Sequence, residues 1–148
     1  MSAETDGKDE LQAAWPGTRV RFDSLQVDKS EPGRVGVRVS LDWNRQRHEG
    51  EASGESGFVG ELRASAMATV RTLGKVVGDD EAFSLVGVKE IHVFDHDIVA
   101  VLLNSPRLPE RRLIGLAIVG DDRPRAAALA VLNATNRALG TLSGTGGS

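Results

Sequence analysis

Two segments of the chain repeat each other, and this repeat constrains the fold more than any other sequence feature. ATVRTLG at residues 68–74 and ATNRALG at residues 134–140 are identical at five of seven positions and lie 66 residues apart. Small residues upstream of the two segments also correspond: Gly54 with Gly120, Ala64 with Ala130 and, one residue out of register, Gly50 with Gly115. A fixed spacing of this kind predicts a duplicated structural unit.

Apolar residues alternate in strand-like segments at matching places of the two repeats. The pattern is Val35-x-Val37-x-Val39 in the first repeat and Val99-x-Val101-x-Leu103 in the second, which predicts strands with one buried face. Residues 18–27 alternate and then shift phase, which predicts a strand with a β-bulge. The polar segment 45–54 predicts an edge strand.

Helical stripes follow the strands in both repeats. From Phe58 to Leu73 the apolar residues fall on one helical face, and Gly74 is predicted to end that helix at the C′ position. A second helix is predicted over residues 122–139, and Asp95-His96-Asp97 is predicted to form a hairpin turn. The sequence therefore predicts an α+β fold of two βββα repeats with antiparallel sheets, each covered by one helix, plus an extra N-terminal strand.

The predicted domain spans residues 15–140, with repeats at about 18–76 and 81–140. A disordered acidic tail at 1–14 and a flexible tail at 141–148 are predicted on either side of it. One unit of this size would be marginally stable alone, so the two units are expected to share a core about a pseudo-twofold axis. A small duplicate of this kind is expected to pair again as a homodimer.

Composition narrows the class of protein. The chain has 148 residues and a net charge of −3, so nothing predicts binding to nucleic acid or to an anionic membrane surface. It has no cysteine, which excludes disulfides and thiolate metal sites. The polar N-terminus and the lack of any apolar run near 18 residues predict a cytoplasmic protein. The preference for arginine over lysine indicates a GC-rich bacterial source.

The segment GDDRP at residues 120–124 has the composition of a polar ligand site at a helix start. Backbone N–H groups there attract negative charge, and Arg123 and Arg125 add basic groups that suit a carboxylate. The alternative is structural, because an aspartate is a good N-cap and proline suits the first turn. Together with the corresponding helix start of the first repeat, the candidate ligand-binding residues are Gly54, Ser56, Gly120, Asp121, Asp122 and Arg123.

Three histidines are candidates for metal ligands or catalytic groups. His92 and His96 on one strand would be about 13 Å apart, too far to share a metal, so a hairpin position is the simpler interpretation. His48 in a polar strand is predicted to be a surface residue. The sequence contains no catalytic motif, and neither a cofactor nor a metal is predicted.

With GLAIVGDDRPRAAALAVLNATNRAL as its strongest part, the pattern resembles the C-terminal regulatory domain of 2-isopropylmalate synthase and related enzymes. The matching positions are Gly54, Gly120, Asp121, Asp122 and the Asn136-Arg137 helix ending. The resemblance implies two βββα repeats that form a dimer and bind an end-product amino acid near the junctions of repeats and protomers.

The leading prediction is a non-enzymatic dimeric regulatory or small-molecule-binding module, with a small polar or amino-acid-like ligand between the two helix starts. The first alternative is an enzyme with a pocket between protomers, built from Asp121, Asp122, Arg123 and His96. The second is a structural or partner-binding protein without a small ligand.

Overall fold

The computed structural model describes residues 19–109 and 112–147, with side chains described as far as residue 138. The elements in chain order are β1 (Arg21–Asp28), β2 (Arg34–Trp43), β3 (Gln46–Glu55), α1 (Phe58–Val77), β4 (Ser84–Val93), β5 (His96–Asn104), β6 (Arg112–Ile118) and α2 (Arg123–Gly147). Strands β1–β3 form one antiparallel sheet and β4–β6 form a second. The predicted α+β fold of two βββα repeats is confirmed, and the N-terminal strand is β1, the first strand of the first sheet.

The central strand of each sheet supplies the most deeply buried side chains. Val35, Val37 and Val39 of β2, and Val99, Val101 and Leu103 of β5, are all at most 2% exposed. These are the residues whose alternation matched between the repeats. The polar strand β3 lies at an edge of its sheet, as its composition predicted.

Both helices lie between the two sheets. α1 packs on β2 and β3 and also contacts β4, while α2 packs on β5 and β6 and also contacts β1. The helices contact each other as well, so apolar side chains of both repeats form one core. The outer face of each sheet consequently points away from the helices.

The arginine that is repeated in the sequence has the same structural role in both units. Arg71 of α1 donates a hydrogen bond to the carbonyl oxygen of Glu51 on the edge strand β3, at 2.9 Å. Arg137 of α2 donates to the carbonyl oxygen of Ile114 on the edge strand β6, at 3.3 Å. Each arginine therefore covers part of the open edge of the third strand in its own repeat.

A glycine in each third strand allows the helix to lie close to the sheet. A methyl group at Gly115 would lie 2.7 Å from the backbone nitrogen of Ala134, and one at Gly50 would lie 3.0 Å from that of Thr72. Both distances are shorter than ordinary contact. The two glycines are not equivalent, because pairing with the central strand makes Gly115 correspond to Ala52, two residues beyond Gly50. The predicted match of this pair is therefore wrong, although close approach occurs in both repeats. The predicted match of Gly54 with Gly120 is wrong for the same reason, because pairing with the central strand makes Gly54 correspond to Ala117.

Irregularities in the strands also repeat. The pairing register shifts between Phe22 and Ser24 in β1, where a bulge was predicted, and between Leu85 and Gly87 in β4, where none was predicted. A bulge increases local twist and bends the strand. The first strand of each sheet is therefore bent near one end.

The hairpin between β4 and β5 turns at Phe94 and Asp95, which both have positive φ angles of 54° and 60°. The predicted turn at Asp95-His96-Asp97 is displaced, because His96 and Asp97 already belong to β5 and pair with Val93 and His92. Two adjacent left-handed residues give the type I′ geometry that follows the twist of the strands.

The predicted end of the first helix at Gly74 is wrong. α1 continues to Val77, and Gly78 ends it in the left-handed conformation with its N–H directed to the carbonyl oxygens of Gly74 and Lys75. The extra turn buries Val76 and Val77, which are 5% and 2% exposed. Gly74 is needed for a different reason, since a methyl group there would lie 3.1 Å from the Asp79 carbonyl oxygen.

The structure describes the backbone of only one of the two predicted tails. Residues 1–14 lie outside the described residues. The bounds of α2 include residues 141–147, for which a flexible tail was predicted. Their flexibility stays a prediction. Neither described helix is long and apolar enough to cross a membrane.

Candidate functional site

The start of α2 is built by Asp122. Its carboxylate accepts a hydrogen bond from the backbone N–H of Arg125 at 3.1 Å, and its carbonyl oxygen accepts one from Ala126 at 3.1 Å. These bonds are those of an N-cap residue, which is the structural alternative predicted for this aspartate. Gly120 and Asp121 precede it and are exposed.

Arg123 joins the two repeats at this helix start. Its Nε donates to the Glu90 carboxylate on β4 at 2.9 Å, and its guanidinium lies 3.8 Å from the Asp97 carboxylate. The same guanidinium lies 5.3 Å from the centre of the Phe58 ring, at the start of α1. The contact brings together one residue from the start of each helix, so the two helix starts are neighbours, as the predicted junction site requires.

His92 and His96 lie on opposite faces of the hairpin, because they pair with Asp97 and Val93, which occupy adjacent positions of the ladder. His92 Nδ1 is 2.9 Å from the Asp97 carboxylate. Among the residues that the structure describes, no three histidine or carboxylate side chains are grouped as a metal site.

A groove lies between the end of β3 and the first turns of α1, and we call it the edge groove. Its volume is about 600 Å³. Gly54 and Ser56, two of the predicted site residues, are part of its lining, and so is Phe58. The predicted residues of the second repeat, at 120–123, are not part of its lining. The predicted site residues are therefore split between this groove and the start of α2, which the Phe58–Arg123 contact connects.

His48 is not the surface residue that the polar character of β3 predicted. It pairs with Leu41, whose side chain is fully buried against the helices, so the imidazole points to the same side and is half-buried. Its Nε2 has no hydrogen-bond partner in the described part of the chain. The same is true of the buried Nε1 atom of Trp43.

Asp28, at the end of β1, has a pKa below its ordinary value of 3.8. The hydroxyl of Ser30 and then its backbone N–H donate hydrogen bonds to the carboxylate, and these favour the charged form. The carboxylate is fully exposed, so this is a local turn interaction.

The feature that sequence reasoning missed is the outer face of the second sheet, which we call the apolar face. Register and burial place these side chains on it: Ile91, Val93, Ile98, Ala100, Leu102, Ile114, Leu116 and Ile118. Ile114 and Ile118 are 58% and 62% exposed. A signal was present, because residues 98–103 and 113–118 are apolar at consecutive positions instead of alternating, which is typical of strands covered on both faces.

No protein-family model matches the chain, and the comparison with curated proteins gives no significant match either.

Proposed function

We propose that this chain is a non-enzymatic binding module that works as a homodimer, with the apolar face as the interface between copies. The observation that supports it is the exposure of five large apolar side chains on one sheet. Ile91, Val93, Ile114, Leu116 and Ile118 are between 36% and 62% exposed. A contiguous apolar patch on one sheet face, in contrast to scattered single apolar residues, is a surface that a partner can cover.

The first repeat shows that the fold does not require apolar side chains on the outer face of a sheet. In β3 the positions corresponding to Ile114 and Ile118 are Glu51 and Glu55, and Glu51 forms a 2.8 Å ion pair with Arg38. Both sheets need apolar side chains only on the side that covers the helices. The difference between the outer faces therefore supports an interaction made by the second sheet alone.

The dimensions of the face favour a second copy over a large permanent partner. Three strands and about eight residues give a projected area of roughly 300 Å². A standard interface buries about 800 Å² on each partner, so neighbouring residues must contribute. Phe94 at the tip of the β4–β5 hairpin is 87% exposed and is placed to do so. We expect a dimer with a dissociation constant in the micromolar range.

Pairing of two copies through the edge of β6 is disfavoured. The backbone N–H of Leu116 donates to Asn133 at 3.1 Å, and the carbonyl oxygen of Ile114 accepts from Arg137. Covering an edge strand in this way prevents the addition of another strand.

The contacts at the start of α2 count against an enzyme pocket there. Asp122 is an N-cap and Arg123 is held by Glu90 and Asp97, so both already have structural partners. The alternative of an enzyme pocket made from residues 121–123 and His96 would have to break these contacts. The resemblance to a regulatory domain agrees with a dimeric module, and an amino-acid-like ligand between the helix starts remains part of this proposal.

The test is sedimentation velocity over a concentration series from about 1 to 300 μM, which brackets the expected dissociation constant. Leu116→Glu puts a charge in the middle of an exposed row and should weaken dimerisation at least tenfold without unfolding the chain. The control is Gln26→Glu, which adds the same charge to the exposed outer face of the first sheet and should change nothing. A wild-type chain that stays monomeric throughout, or a Leu116→Glu variant that dimerises normally, would contradict the proposal.

A further inference from the structure

The edge strand β3 is covered by α1 along only part of its length. Lys75 donates to the carbonyl oxygen of Glu49 at 2.6 Å, and Arg71 donates to that of Glu51 at 2.9 Å. Alternate residues of an antiparallel strand direct their backbone groups to the same side, and the β2–β3 pairing is uninterrupted. The N–H and C=O of Ser53 must therefore also point away from β2, along the open edge.

The second repeat shows what covers the corresponding position. Ser53 lies two residues beyond Glu51, whose carbonyl oxygen binds Arg71, and Leu116 lies two residues beyond Ile114, whose carbonyl oxygen binds Arg137. The N–H of Leu116 donates to Asn133 Oδ1. At the repeat spacing of 66 residues, Met67 stands in the place of Asn133. A thioether is a weak acceptor and cannot donate. No described residue forms a hydrogen bond with the backbone of Ser53.

The surroundings of Ser53 combine apolar surface with charged groups, two arginines (Arg63 and Arg71) and the Glu55 carboxylate. Met67 lines the edge groove together with Phe58 and Val59, which are 48% and 70% exposed. Arg63 lies on the same helix one turn before Met67 and is exposed, whereas the half-buried Leu129 takes its place in the second repeat. The first repeat thus has an open backbone pair, an apolar surface and a guanidinium where the second has a covered edge and a leucine.

We propose that the edge groove binds a short extended peptide that adds to β3 by exchanging two backbone hydrogen bonds with Ser53. Residues directly opposite each other in a sheet point to the same face, so the peptide residue opposite Ser53 faces away from α1. Its two neighbours face the groove, where an apolar side chain contacts Met67 and an acidic one meets Arg63. Arg71 and Lys75 cover the rest of the edge, which limits the added strand to about three residues or 10 Å. This binding is independent of dimerisation through the apolar face.

The test uses two acetylated tripeptide amides, leucine-serine-glutamate and glutamate-serine-leucine, which place the apolar and the acidic side chain on either side of the serine in both orders. Each is titrated into ¹⁵N-labelled protein up to about 1 mM. We expect at least one peptide to shift the Ser53 amide resonance saturably. Methylating the nitrogen of the peptide serine removes a backbone donor and should weaken binding about tenfold. The absence of a shift at Ser53 with both peptides, or equal binding of the methylated forms, would overturn the proposal.

Met67→Asn gives the first repeat the side chain that covers the edge in the second, and it should reduce peptide binding at least tenfold. Met67→Leu keeps the apolar surface without an acceptor and should bind within about twofold of the wild type. Dispersed amide spectra establish that both variants fold. Unchanged binding by Met67→Asn would refute the proposal. A second combined result would also refute it: the wild type binds neither peptide, and Met67→Asn loses self-association. A second copy of the chain would then be the occupant of the groove.

Discussion

Helix α2 approaches strand β6 closely at Gly115, and Gly115→Ala should be a strongly destabilising small substitution. The new methyl group would lie 2.7 Å from the Ala134 nitrogen and 2.8 Å from its Cβ, and closer still to the Ala130 carbonyl oxygen. Ordinary contact begins at 3.4 Å. The Ala130 carbonyl oxygen is the limiting contact, so the helix must move by more than about 0.7 Å, and Ala130 and Ala134, which are 0% and 3% exposed, would lose their packing.

Overpacking of this kind lowers the free energy of unfolding by about 1–3 kcal/mol and occasionally by more. Because the clash at Gly115 involves backbone atoms, we expect a loss of about 3–5 kcal/mol. The assay is urea unfolding followed by circular dichroism. The control is Gly36→Ala, where the nearest atom would be 3.9 Å away, and its stability should stay equal or rise by about 0.5 kcal/mol. If Gly115→Ala were as stable as Gly36→Ala, the helix would not rest on β6 in the way described.

Two further predictions concern single side chains. Asp122→Ala removes the N-cap of α2 and should lower the free energy of unfolding by about 1 kcal/mol in the same assay, whereas the neighbouring exposed Asp121→Ala should leave it nearly unchanged. Ser30→Ala removes the larger of two hydrogen bonds to Asp28 and should raise the pKa of that carboxylate toward 3.8, as measured by a carbon-detected NMR titration. Because the folded-state pKa is lowered, the stabilisation from this turn is present above pH 3.8 and is lost as the pH falls through the folded-state pKa. An Asp28 titration identical in the two proteins would contradict that assignment.

The local pattern of apolar and small residues in the sequence was sufficient to predict the two repeats and most of the strands and helices. Alternation in β2 and β5 identified the strands whose side chains fill the core, and the repeated Ala-Thr-x-Arg segments identified equivalent helix turns. The predicted end of α1 was wrong because Gly74 follows the apolar stripe at the place where a glycine cap is expected. The choice between Gly74 and Gly78 depends on the burial of Val76 and Val77 by the rest of the fold, which no local pattern contains.

The candidate site was harder to predict because its properties arise between elements. Asp122 was correctly considered as a cap, but the partners of Arg123 lie on β4, β5 and α1 and have no relation to it in sequence. His48 was predicted to be a surface residue because its strand is polar. Its inward direction is set by its pairing with Leu41, which the local sequence does not contain. The open backbone of Ser53 becomes visible only when the two repeats are compared in three dimensions.

Two copies are proposed to meet through the apolar face, and a distance between copies tests this most directly. The chain has no cysteine, so Lys89→Cys, within the face, and Gln26→Cys, on the outer face of the first sheet, can each be spin-labelled at a single site. Packed layers are about 10 Å apart, so face-to-face copies should place the Lys89 labels about 10–25 Å apart and the Gln26 labels about 50 Å apart. Pulsed electron paramagnetic resonance on the dimer measures both distances. A Gln26 distance shorter than the Lys89 distance would contradict the proposed interface.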